Sequence, residues 1–70
     1  MIARTFTAVV HREDELYVAE CPEIGTVSQG RSAEEAVANL KEATELYLEE
    51  FGPTPYSRPF VTTFDILANA

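Results

Sequence analysis

Carboxylates are the most abundant side chains in this sequence that could do chemistry. Twelve of the 70 residues are Asp or Glu, and six glutamates fall within residues 34–50. Acids that converge from several elements could hold two metal ions for phosphodiester hydrolysis. However, the predicted first strand, residues 2–10, has no acid, Asp65 stands nearly alone, and the acids of residues 34–50 fall on the helix face away from the sheet. We therefore expect no metal site and no hydrolase.

The other reactive side chains lack the neighbours that catalysis needs. His11 is the sole histidine and lies in the charged stretch 11–15, so we interpret it as a solvated turn residue. Cys21 is the sole cysteine, without a partner for a disulfide or a metal pair, so we interpret it as a small strand residue. The glycines are isolated, and no serine has a recognisable base. The sequence predicts no catalytic residue, no cofactor and no enzyme.

The charge balance also limits the partners. The formal net charge is −7, and the five basic residues are scattered through the chain. Nucleic-acid binding requires clustered Lys and Arg, so direct binding is not expected. The acidity serves either solubility or a surface complementary to a basic partner. No apolar run approaches the roughly 20 residues of a membrane span, and no targeting segment is recognisable, so we expect a cytoplasmic protein.

Alternation of apolar and polar residues predicts four strands, at residues 2–10, 16–21, 26–29 and 60–67. Residues 11–15 are expected to be the polar connection of a hairpin, which makes the first three strands an antiparallel meander. Because a strand–helix–strand crossover normally returns to the same sheet, the last strand should complete that sheet.

One long helix is expected between the third and fourth strands. Ser32 and Glu35 have the spacing of a capping box, and Gly52 can end the helix in the left-handed conformation. At 100° per residue, one stripe is apolar. Its members are Ala33, Ala36, Val37, Leu40, Ala43, Thr44, Tyr47, Leu48 and Phe51. The order βββαβ predicts a single α+β domain over residues 1–70, with the helix packed on a four-stranded mixed sheet.

The helix can cover only one face of this sheet, and the residue pattern does not predict that either face is polar. We expect Phe6 and Val18 to share one face, and the opposite face to carry Val9, Tyr17, Ala19 and Cys21. A half-apolar face without a cover is a candidate interface. A chain this short also buries only about 60% of its unfolded surface. The sequence therefore predicts a homo-oligomer, either a dimer or a tetramer.

Three segments resemble the signature of the HicB-like antitoxin family. They are YVAECPEIG at residues 17–25, SQG at residues 28–30 and SAEEAVANLKEA at residues 32–43. The family pattern is a Tyr-x-Ala-x-x-Pro-Glu run, a short strand ending in Gly, and a helix with Glu-Glu-Ala and Asn-Leu-x-Glu-Ala. The resemblance covers nearly the whole chain and is densest over residues 17–52. It implies a degraded ribonuclease H-like fold in which the last strand lies beside the first.

The resemblance also implies a function. HicB proteins neutralise a small basic HicA toxin, an mRNA-cleaving protein, by binding over its active site and RNA surface. The acidic helix would then substitute for RNA phosphates. The partner-binding residues expected on this basis are Glu34, Glu42, Glu45, Leu46, Glu49 and Glu50.

The chain resembles only the N-terminal domain of longer family members, whose DNA-binding segment follows the last strand. Operator binding by this short form is therefore not expected. The alternative function is a solitary oligomeric HicB-like module that has no toxin partner and uses its acids only for solvation.

Overall fold

The computed structural model describes residues 4–53, 55 and 58–69. Strands β1 (Val9–Glu13), β2 (Leu16–Cys21) and β3 (Thr26–Gly30) are followed by the helix α1 (Ala33–Phe51). The strands form an antiparallel sheet in the order β1-β2-β3. The predicted α+β class and meander are confirmed, and β2 has the predicted bounds.

The first hairpin differs from the prediction. β1 begins at Val9 rather than at residue 2 and extends through Glu13, so the connection to Leu16 has only two residues, Asp14 and Glu15. Residues 2 and 3 of the predicted strand lie outside the described residues. Asp14 has a φ of 55°, which Asp tolerates better than most residues. The charge of residues 11–15 predicts a break between strands, but an edge strand accommodates charged side chains that point to water.

The helix begins and ends as predicted. The Ser32 hydroxyl accepts the N–H of Glu35 at 3.0 Å, while the Glu35 carboxylate accepts the N–H of Arg31 at 2.9 Å. The second bond thus goes to Arg31, one residue earlier than a capping box predicts. Gly52 has a positive φ of 78°, but its ψ of 175° lies outside the predicted left-handed helical conformation, and its N–H donates to the Leu48 carbonyl at 2.9 Å. Each end of the helix is therefore capped by a local hydrogen bond.

The core lies between α1 and one face of the sheet. Its buried members are Ala19, Cys21, Ala36 and Leu40, and the partly buried side chains packed against them are Phe6, Val10, Tyr17 and Ile24. In the register, Val10 pairs with Ala19 and His11 with Val18. The predicted grouping of Phe6 with Val18 is therefore wrong. Each strand's alternation was read correctly, but the two-residue turn sets how the strands combine.

α1 lies closest to β3. The hydroxyls of Thr26 and Thr44 are 2.7 Å apart, and the Asn39 side-chain amide donates to the Gln29 carbonyl at 2.9 Å. Gly30 is buried at the point where β3 meets the first turn of the helix. These contacts fix the face that α1 presents to solvent.

The predicted fourth strand is absent from the described part of the chain. Residues 58–69 contain no helix or strand. We call residues 60–67 the C-terminal arm. Its large apolar side chains are exposed, at 90% for Phe60, 81% for Phe64 and 77% for Ile66. The described residues form a three-stranded sheet instead of the predicted four-stranded one, and they do not show the ribonuclease H-like fold. Alternation shows that a segment can be a strand, but it does not show which edge the segment pairs with.

Candidate functional site

The six residues predicted to bind a partner lie together on α1. We call them the acidic surface; they are Glu34, Glu42, Glu45, Leu46, Glu49 and Glu50. All six are exposed, whereas Ala36, Leu40 and Thr44 on the opposite side of the helix are buried. The structure therefore brings the predicted residues to one solvent-facing side of a single rigid element.

The acids are not equally close to one another. At 100° per residue, Glu42, Glu45 and Glu49 fall within about 60° of helix rotation, which makes them the centre of the surface. Glu34 lies about 12 Å along the helix axis from Glu42, at 1.5 Å per residue. Glu50 lies at the edge of the acidic surface, away from these three residues. A partner that contacts the centre would meet three carboxylates in succession.

The last turn of α1 contains no basic residue, although Glu49 and Glu50 lie there. The carboxyl end of a helix carries partial negative charge, so an acid at that end costs about 0.3–1 kcal/mol. Helix stability therefore does not account for these two glutamates. Their position is compatible with a role outside the monomer.

Leu46 and Glu42 also line an open depression between α1 and β3. The depression has a volume of about 490 Å³ and includes Val27 and Ala43. Leu46 is 58% exposed and Val27 is 57% exposed. The acidic surface therefore adjoins a small apolar patch, which sequence reasoning detected only through Leu46.

A second hollow, which we call the apolar groove, lies between residues 4–8 and the opposite flank of α1. Its volume is about 460 Å³. Its apolar walls include Phe6, Ala8, Val37, Leu40 and Leu48. This groove could not be predicted from the sequence, because one of its walls, residues 4–8, lies within the segment that the alternation pattern predicts as a paired strand. The available signal was the apolar stripe of α1, which is wider than the three strands can cover.

The thiol of Cys21 is buried and is not poised for nucleophilic attack. Cys21 is the last residue of β2, and its Sγ donates to the Glu23 carboxylate at 3.4 Å. Burial raises the pKa of the Cys21 thiol above its usual value. A thiolate is the reactive form, so this environment disfavours reactivity. The predicted strand position of Cys21 is confirmed.

Glu23 ties the segment before β1 to the turn after β2. Its carboxylate accepts the backbone N–H of Thr7 at 2.9 Å and the Thr7 hydroxyl at 2.6 Å. Burial raises the pKa of Glu23, but the hydrogen bonds from Thr7 outweigh burial and leave the pKa below its usual value. The ionised form is therefore the one that holds Thr7 in place.

We expect Glu23→Gln to lower the free energy of unfolding by about 1 kcal/mol at neutral pH, since bonds to a charged acceptor are stronger than bonds to a neutral one. Because folding lowers the pKa, this contribution is complete above the usual Glu pKa and is lost as the pH falls through the folded value. Urea unfolding of both chains across acidic pH would test this. A difference that did not shrink on acidification would contradict the role of the carboxylate.

His11 lies elsewhere than predicted. It belongs to β1, not to a loop, and its Nε2 lies 3.6 Å from the Glu13 carboxylate, with both side chains more than half exposed. Within the described residues, no three His, Cys, Asp or Glu side chains are placed to hold a metal ion. In the same part of the chain, no helix has the length and apolar character that crossing a membrane requires.

Comparison with known proteins finds a relative of similar sequence. The chain is similar to a UPF0150 protein of Helicobacter pylori (strain J99 / ATCC 700824). The two are 52% identical over 42 residues, which are 59% of this chain and 58% of the relative. The match thus spans less than two thirds of either protein, and the relative's name states no activity. No protein-family model and no solved structure matches the chain.

Proposed function

We propose that this chain is a HicB-like antitoxin that acts in the cytoplasm by binding a small basic toxin of the HicA type. The observation that carries the proposal is the acidic surface, a row of exposed carboxylates on one side of α1. The resemblance of residues 17–43 to the HicB pattern supports the family. The UPF0150 relative has no competing activity in its name.

Electrostatics explain how such a surface would work. A protein that cleaves mRNA must attract phosphates, so its RNA-binding surface is basic. Glu42, Glu45 and Glu49 would occupy positions that phosphates otherwise take, and the net charge of −7 would speed the encounter. Leu46 and Val27 would add apolar area beside the charges. The toxin would then be inhibited by occlusion, with no reaction catalysed by this chain.

The test is charge reversal at the centre of the acidic surface. We expect the triple variant Glu42→Lys, Glu45→Lys, Glu49→Lys to weaken binding of the toxin by about 100-fold or more. Placing like charges together costs several kcal/mol, and each 1.4 kcal/mol is tenfold in affinity. Calorimetric titration with a purified basic toxin of the HicA type would measure the loss.

A matched control changes the same number of charges elsewhere. Glu13, Glu15 and Glu20 are exposed and lie on the sheet side of the molecule, away from α1. Their reversal to Lys alters the net charge equally and should change binding much less. Equal losses in both triple variants would mean that only the overall charge matters, and unchanged binding in the first would reject the acidic surface as the contact.

The alternative function is a solitary oligomeric module without a toxin. The observation that favours it is the exposed apolar character of the C-terminal arm, which suits self-assembly. Salt separates the two functions. Binding of a basic toxin weakens as ionic strength rises, whereas self-association through apolar surface does not.

A further inference from the structure

We propose that two copies of this chain exchange their C-terminal arms, so that residues 60–67 of each copy fill the apolar groove of the other, beside residues 4–8. This exchange does not rest on the antitoxin function. It would give each copy the fourth strand that the described residues of one chain do not form, and with it the βββαβ arrangement.

The arm has the pattern of a strand that packs on a core. Phe60, Thr62, Phe64 and Ile66 fall on one side of an extended segment, and Val61, Thr63, Asp65 and Leu67 on the other. In the single chain both sides are exposed. A contiguous run of exposed apolar side chains is a marker of an interaction site rather than ordinary surface.

The dimensions of the chain agree with an arm that extends away from the sheet and helix of its own chain. The radius of gyration is 14.3 Å, whereas a compact chain of this length is expected to have about 11 Å. The longest principal extent is 48 Å and the shortest is 18 Å. The arm is therefore not folded back over the sheet and helix.

The apolar groove is the matching acceptor. Val37 remains 38% exposed and Leu48 remains half-buried, although both belong to the apolar stripe of α1. Among the described residues, β1 pairs with β2 alone, so its other edge is open to a further strand. Residues 4–8, which precede β1 in the chain, form one wall of the groove, so a strand added along them would direct alternate side chains at α1.

The connection between α1 and the arm favours exchange over return to the same chain. It contains Pro53, Pro55 and Pro59 within seven residues. Each proline fixes φ at about −65° and lacks a backbone N–H, so this composition disfavours a compact reversal that would bring the arm back onto its own helix. Exchange of an identical element is a low-cost route to a dimer, because each copy makes the contacts that one chain could make alone.

The area involved suits a stable dimer. A buried Phe contributes about 150–250 Å², so Phe60 and Phe64 from two arms would bury about 600–1000 Å². The two Ile66 side chains and the walls of both grooves add to this. The total reaches the range of about 1200–2000 Å² found for specific interfaces.

The first test uses paired variants at neighbouring positions of the arm. Phe64→Glu places a charge on the side that would enter the groove, and Thr63→Glu places the same charge on the opposite side. We expect sedimentation equilibrium to show a dimer for the unchanged chain and for Thr63→Glu. Phe64→Glu should raise the dimer dissociation constant at least 100-fold. A monomer at tens of micromolar for the unchanged chain, or equal effects of the two variants, would overturn the proposal.

A second measurement tests the exchange even if the Phe64→Glu variant does not fold. Isotope-labelled and unlabelled full-length chains are mixed, denatured and refolded together, and isotope-filtered NMR then detects only contacts between copies. We expect contacts between the Phe64 ring and the Leu40 or Leu48 methyl groups in the filtered spectrum. The same contacts within one copy only would show that the arm returns to its own chain. A dimer without these contacts would show that the copies meet at another surface, and either result would overturn the exchange.

The antitoxin function and the arm exchange can be rejected independently of each other. Each copy carries a net charge of −7, so repulsion between copies is screened as salt is added. The arm-exchanged dimer should therefore tighten from low to moderate salt, while binding of a basic toxin should weaken. Loss of toxin binding with an intact dimer would reject only the antitoxin function, and a monomer that still binds toxin would reject only the exchange.

Discussion

Leu40→Ala is expected to lower the free energy of unfolding by about 2–5 kcal/mol, the range for removing a large aliphatic side chain from a core. Leu40 is 4% exposed, and the other buried apolar residues in the described part of the chain are Ala19, Cys21 and Ala36, all small. A chain of this size has only about 3–5 kcal/mol of stability from its core. The variant should therefore be largely unfolded at room temperature, as circular dichroism during urea titration would show.

Leu46→Ala is the matched control, since it is the same substitution on the same helix. Leu46 is 58% exposed, so its removal should change stability by no more than about 0.5 kcal/mol. Both variants are compared at one protein concentration, because self-association adds to apparent stability. If the two variants lowered the free energy of unfolding by similar amounts, a different side of α1 would pack on the sheet.

Gly30→Ala is expected to destabilise the chain by about 1–3 kcal/mol, the usual cost of forcing extra volume into a packed site. A Cβ at this position would lie 2.6 Å from the backbone nitrogen of Ala36 and 2.9 Å from the carbonyl carbon of Glu35. Backbone in the first turn of a capped helix cannot move aside cheaply. Thermal and urea unfolding would both report the loss.

Whether Gly30→Ala stabilises or destabilises the chain is informative. Replacing Gly by Ala normally stabilises a protein by about 0.4–1 kcal/mol when the native conformation allows it, because the unfolded chain becomes less flexible. A loss at Gly30 therefore reports close approach of β3 and α1. Gln29→Ala, at the exposed neighbouring position, should be nearly neutral. A stabilising Gly30→Ala would show that the helix lies farther from β3.

The acidic surface and the apolar groove adjoin at one residue. Glu45 belongs to the first and also lines the second. An arm placed in the groove would thus lie beside the region proposed to meet a toxin. The oligomeric state of the triple charge variant should accordingly be measured together with its binding, so that an effect on the arm is not taken for an effect on the toxin.

Much of the local structure could be predicted because its signals lie close together in the sequence. The capping residues Ser32 and Glu35 are three positions apart, and Gly52 ends the helix without reference to the rest of the fold. The period of α1 placed Leu40 inward, and the six residues of the acidic surface outward. Local hydrogen bonds and helical periodicity are properties of a short segment, so the sequence suffices for them.

The relations between segments were decided by the tertiary structure. A two-residue turn at Asp14 and Glu15 set the register that places Val10 with Ala19 under the helix, and a longer connection would have placed other residues there. The groove exists because residues 4–8 lie beside α1 without forming part of β1.

By itself, the sequence determined the helix, its caps, β2, the strand-like alternation of residues 60–67 and the side on which the acids lie. Only the tertiary structure decided the bounds and register of β1, the depth of the core, and the position of the C-terminal arm outside its own sheet. The physical reason is that alternation and periodicity depend on neighbours along the chain. Pairing requires an edge that another segment, or another copy, must supply.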